Sequence, residues 1–140
     1  MLTRQPLIFF VHDNHRMLAA IRPLADASGW RVEAFASAQQ CLAAIAREQP
    51  NALVTQLNLP GMDGLQLLEA MNALGLGIPI VAIGEARMTP LSYQAIAAGA
   101  LAVLHAPFWD EELVEAIENA IAARAVFIEA FARSAQAHAD

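Results

Sequence analysis

The chain has 140 residues, a formal net charge of −6, apolar residues at 57% of positions and charged residues at 16%. That length suits one domain with a substantial core, and so apolar a composition excludes a disordered linker. A single cysteine excludes a disulfide scaffold or a cysteine-built zinc cage, and the acidic balance argues against a phosphate backbone as a direct partner. A first strand is expected at Leu7–Val11, followed by a helix that Asn14 caps and that carries Met17, Leu18, Ile21 and Leu24. Pro23 should kink or loosen this helix, and Gly29 should stop it. Arg31–Phe35 reads as a weaker, half-polar strand, and Ser37 caps a second helix with Cys41, Leu42 and Ile45 on one face. A strand at Ala52–Thr55 precedes a third helix from Gly64 or Leu65 to Leu74, ended by Gly75. A strand at Ile78–Ile83 leads to a helix that starts at Pro90, a good first-turn residue, and ends at Gly99. A short strand at Ala102–Leu104 precedes the last helix, which starts near Asp110 with Glu111 and Glu112 at the positive end of its dipole.

Strand and helix alternate five times, and the strongest strands are apolar on both faces. This predicts a parallel sheet with right-handed crossover helices on both sides, an α/β fold. On such a sheet ligand chemistry belongs at the carboxyl ends of the strands. The residues there are His12 and Asp13, then Gln56, then Ile83 and Gly84, then Ala106 and Pro107.

The segment Leu53-Val-Thr-Gln-Leu-Asn-Leu-Pro-Gly-Met-Asp-Gly64 resembles the central motif of CheY-like receiver domains of two-component response regulators. Ala98-Gly-Ala100 followed by His105-Ala-Pro-Phe108 is similar to that family's Gly-Ala and Lys-Pro-Phe signature, with a FixJ-type flavour. The resemblance covers roughly residues 6–123 and implies a flavodoxin-like (βα)5 doubly wound sheet of order 2-1-3-4-5. It also implies a chemistry of five side chains. Two acids after the first strand help hold Mg²⁺, and an Asp after the third accepts the phosphoryl group. A hydroxyl after the fourth strand and a Lys after the fifth bind its oxygens. Carried over, these positions hold His12 and Asp13, Gln56, Ile83 and Ala106, so only Asp13 remains as a magnesium-type ligand.

Each replacement removes chemistry. A Gln56 amide cannot form an acyl phosphate, and Ala106 brings no cation. The chain contains no lysine at all. A lysine left without its acids would be a poorly compensated charge, so the losses are mutually consistent. The expectation is a non-enzymatic, phosphorylation-independent receiver-like module needing no cofactor. Asp63 is a conceivable substitute acceptor, although in the family this Asp-Gly pair belongs to the loop and the start of a helix. His12, His15 and His105 do not make a convincing zinc set, whereas His12 beside Asp13 is a conceivable pH-responsive pair. Cys41 reads as core, and Glu85 and the Asn58 side chain receive no catalytic role. Val103 stands where many receivers place an aromatic switch residue. No Gly-rich phosphate loop follows the first strand and no G-x-S-x-G elbow is present, which argues against a small nucleotide-binding protein or hydrolase of similar topology.

The receiver-like part is expected to span 1–123, with 124–140 a helical extension of the fifth helix. Leu113, Ile117, Ile121, Ile128 and Phe131 recur at helical spacing, with Val126 and Phe127 widening the stripe. Together with Val103 they are expected to form an interaction surface, serving a homodimer through this helix. A histidine kinase, an output module or another signalling protein is the expected partner, and the chain could alternatively be the amino-terminal regulatory part of a FixJ-type transcription regulator. No direct nucleic-acid contact is expected. No leader pattern opens the chain, where Arg4 is soon followed by Pro6, and the run Ala100–Leu104 falls far short of the ~20 residues that span a bilayer. A cytoplasmic location without membrane contact is therefore expected.

Overall fold

Five strands, β1 (Leu7–Val11), β2 (Arg31–Phe35), β3 (Ala52–Gln56), β4 (Ile80–Gly84) and β5 (Ala102–His105), form one parallel sheet in the order β2-β1-β3-β4-β5. They alternate with α1 (His15–Ser28), α2 (Ala38–Ile45), α3 (Gly64–Leu74), α4 (Pro90–Ala97) and α5 (Asp110–Ala139). The computed structural model describes residues 5–139, with side chains as far as Gln136, so Arg4 and the opening residues lie outside it. Among the described residues no helix is long and apolar enough to cross a membrane.

Strand periodicity divides the core into two faces. Leu7, Phe9, Val11, Leu53 and Ile80 point to α2 and α3, where Cys41, Leu67 and Met71 meet them. Ile8, Phe10, Val54, Val81 and Ile83 point to α1 and α5, against Ile21, Leu113 and Ile117. A smaller group, Ala82, Leu57 and Ala95, packs α4 onto the first face. Full burial of each large side chain contributes about 1.5–3 kcal/mol, so both layers are bound firmly to the sheet. The Cys41 thiol sits inside the first layer, and burial pushes its pKa up to about 12.

The helices begin where side-chain caps place them. Asn14 accepts from the Arg16 amide, Ser37 from Gln40, and Thr89 from Ser92. Asp63 and Gln66 form a reciprocal capping box at α3, which gives Asp63 a structural task. α1 runs through Pro23 as one helix, contrary to the expected loosening. Pro23 and Ala19 both lie on the solvent side, so water can satisfy the carbonyl that the ring leaves without a donor. β4 starts two residues later than the apolar run suggests, because Ile78 and Pro79 precede the ladder, although Leu53 N–H already donates to the Pro79 carbonyl.

Part of the expected interaction surface is committed elsewhere. Leu113 and Ile117 are buried on the sheet, and Ile121 packs against the same cluster. Val103 is half-buried against the α4 cluster. Ile128 and Phe131 remain outside, 48% and 66% exposed.

Candidate functional site

The strand-end cluster is built on the β1–α1 junction. His12 N–H continues the ladder to the Phe35 carbonyl at 3.0 Å, and its ring stacks on Phe10 with centroids 6.3 Å apart. The His12 Nδ1 accepts from the Asn14 amide at 3.0 Å. That nitrogen therefore carries a lone pair in this arrangement, and its 3.8 Å approach to the Asp13 carboxylate is not an ion pair while the ring is neutral. Burial lowers the His12 pKa from the ordinary 6.5, with the Asp13 charge opposing the shift.

Gln56 ends β3 beside this junction. Its Oε1 accepts from the Asp13 backbone N–H at 2.9 Å, tying the β1–α1 turn to the β3 end. Its carbonyl lies under Gly64, where a Cβ would stand 2.4 Å away, so α3 can start there only with a glycine. The amide at this position thus acts as a strut between two loops.

Ile83 pairs in register with Gln56, yet its side chain lies in the core beneath α1 and α5, only 4% exposed. The Ile83 side chain therefore presents no group at the strand end. Gly84 is the last residue of β4, and neither residue offers a hydroxyl. Asn58 donates to the Glu85 carboxylate at 3.1 Å, and His105 Nδ1 lies 2.9 Å from the Glu85 carbonyl, which draws His105 toward the β4 end and away from His12 and Asp13. Ala106 N–H donates to the Gly84 carbonyl at 3.2 Å and precedes a cis bond to Pro107. Where a lysine would reach over the sheet, Ala106 instead borders an apolar cleft of ≈ 210 Å³ with Phe10, Met17 and Phe108.

Residues 8–118 match the response regulator receiver domain family. The chain belongs to that family. It is 33% identical to the response regulator protein TodT of Pseudomonas putida over 121 residues, 86% of this chain and 53% of TodT. It is 32% identical to the transcriptional regulatory protein FixJ of Bradyrhizobium diazoefficiens over 120 residues, 86% of this chain and 58% of FixJ. The chain thus spans little more than half the length of these relatives. Among solved structures, response regulator StyR superposes with a TM-score of 0.82 at 30% identity, covering 95% of this chain and 67% of that one. Receiver domains are signalling modules of two-component systems, so the CheY-like resemblance in the sequence and the sheet order are both met.

The family resemblance implies Mg²⁺, which takes hard oxygen ligands, usually with one or two carboxylates. Asp13 supplies the one carboxylate at the β1 and β3 ends, the Gln56 oxygen already holds an amide proton, and Glu85 is engaged by Asn58. Among the described residues no three of His, Cys, Asp and Glu gather into a metal-binding group. This donor set does not fit the ion.

One contact escaped the sequence reading. Arg124, 7% exposed, donates to the Leu76 carbonyl and, at 2.9 Å, to Gln49 Oε1. Beside it Phe127 lies flat on Gly77, where a Cβ would come within 2.4 Å of the ring. Together they clamp α5 to the loop between α3 and β4. The signal available in the sequence was Gly75-Leu76-Gly77, two glycines both at positive φ, 65° and 66°.

Proposed function

We propose that this receiver domain signals without phosphoryl transfer, by contact with other proteins. The observation that carries the reading is Gln56 at the acceptor position, a neutral amide whose oxygen is held by the Asp13 amide. The absence of a cation at Ala106 supports it, since phosphoryl oxygens would meet an apolar cleft there. Asp63 is a poor substitute acceptor, because its carboxylate accepts from the Gln66 amide at 2.8 Å to start α3. His12 is equally engaged through Nδ1. In this reading residues 1–123 form the receiver body and 124–140 an extension that carries a homodimer contact. A receiver lacking its acceptor can still bind a kinase, an output domain or a second copy, because those contacts use its surface rather than its pocket.

The test is intact-protein mass spectrometry after incubation with acetyl phosphate and Mg²⁺. An unchanged mass is expected. A stoichiometric phosphoryl adduct would overturn the reading, and its location on Asp63 or a histidine would establish a non-standard acceptor. The second reading, a regulatory part of a FixJ-type transcription regulator, is favoured by the likeness to little more than half of FixJ. It is compatible with the first, since a silent receiver can still hold an output domain.

A further inference from the structure

We propose that the cleft between α1 and α5 binds a small amine that carries one apolar ring, with the ring in the apolar part of the cleft and the ammonium group at Asp110. The cleft has a volume of ≈ 210 Å³. The buried side chains of Phe10, Ile21 and Leu113 line it, Met17 and Leu24 flank it from α1, and Phe108 closes on it from the segment before α5. About 150 Å³ of apolar cavity is enough for a benzene ring, so this cleft takes a ring and a chain of roughly two or three carbons. Water inside finds few hydrogen-bonding partners, and an apolar group gains by displacing it. Two small exposed residues, Ala20 and Ala106, leave the edge open. Ala106 stands where the family resemblance implies a lysine, and among the described residues no cation of the chain lines the cleft.

Charge selects the head group. Asp110 carries the one charge among the side chains that line the cleft, and it is exposed and joins no ion pair among the described residues. An adjoining hollow shares Asp110 and Leu24 and adds Glu111 and Glu115. The start of α5 contributes about half a positive charge against these carboxylates, so the field at the cleft edge is negative. An anionic ligand would be repelled there and an alcohol would gain little, whereas an ammonium group donates to a carboxylate in a charge-assisted bond. The site, apolar within and acidic at its edge, matches the two ends of such an amine. Its small size and open edge imply affinity in roughly the high-micromolar to millimolar range. An occupant would touch Ala106, whose N–H donates to the Gly84 carbonyl at 3.2 Å, so the cleft is joined to the end of β4.

The test is methyl and amide NMR of the full chain titrated separately with phenylpropylamine, phenylpropanol and phenylpropionate. The amine is expected to give saturable shifts at Met17, Leu24 and Leu113, with binding about tenfold tighter than that of phenylpropionate and the alcohol between the two. Asp110→Asn should weaken the amine about two- to fivefold and leave phenylpropanol unchanged. Ala20→Phe, which fills the open edge from an exposed position, should abolish the shifts from all three probes with the circular dichroism unchanged. No saturable shift with millimolar amine, equal affinity for amine and phenylpropionate, or binding that survives Ala20→Phe would each overturn the proposal. None of these results touches the phosphoryl question, which the mass measurement decides separately.

Discussion

Gly64→Ala tests how the site is supported, with Gly75→Ala as its control. Gly64 opens α3 with ordinary backbone angles, and a Cβ there would lie 2.4 Å from the Gln56 carbonyl oxygen, 2.8 Å from Leu57 Cα and 3.1 Å from the Gln56 carbonyl carbon. All three are backbone atoms, so no rotamer change relieves the contact. Overpacking of this kind costs about 1–3 kcal/mol. Moving α3 away would also sacrifice the 2.9 Å bond from Gly64 N–H to the Leu57 carbonyl, worth roughly another 1 kcal/mol. The better helix propensity of alanine returns at most about 1 kcal/mol. A net loss of about 1–3 kcal/mol follows, together with a shift of the Asp13 amide resonance as Gln56 moves. Gly75 has φ +65° and open space around its Cβ position, so Gly75→Ala should cost only the left-handed backbone penalty, about 1–2 kcal/mol. Urea denaturation followed by circular dichroism measures both. A Gly64→Ala protein as stable as the parent, with the Asp13 amide unmoved, would refute the idea that α3 rests on the Gln56 backbone.

Other substitutions address the remaining supports. Burial keeps the His12 pKa below its ordinary 6.5, so between the folded and unfolded values the unfolded chain binds more protons. Its contribution is present above pH 6.5 and is lost as pH falls through the folded value, and denaturation across pH 5–8 should show a flatter slope for His12→Gln. Asp63→Ala should cost about 1–2 kcal/mol by removing the α3 capping box, measured by thermal melting, while leaving the absence of phosphoryl uptake unchanged. Arg124→Met should lower stability by about 1–3 kcal/mol, because the Leu76 carbonyl and Gln49 lose their donor in a part-buried place, and hydrogen exchange should quicken in the loop around Leu76.

The strands β1 and β2 were readable to the residue, since Leu7–Val11 is apolar throughout and Arg31–Phe35 keeps its own alternation. β3 and β5 each run one residue further than their apolar runs, to Gln56 and His105. Hydropathy stops at a polar residue, but the backbone ladder does not, and in this fold that extra residue is the site. The caps at Asn14 and Ser37 and the stop at Gly29 were legible because they depend on local chemistry alone. The burial of Ile83 in the core was not, because a one-residue register turns a side chain from the core to the strand end. The amphipathic stripe of α5 was found, but periodicity cannot say which half of a stripe meets its own sheet. Packing assigns Leu113 and Ile117 to the core and leaves Ile128 and Phe131 outside. The Gln56–Asp13 strut joins residues 43 positions apart and has no local signature.

Backbone amide NMR during titration with Mg²⁺ and then beryllofluoride tests the central claim most directly. The pocket formed by Asp13, Gln56, Gly84 and Ala106 is expected to give no saturable shifts, because it offers one free carboxylate and no cation. Saturable movement of those amides, with beryllofluoride binding dependent on Mg²⁺, would contradict the account.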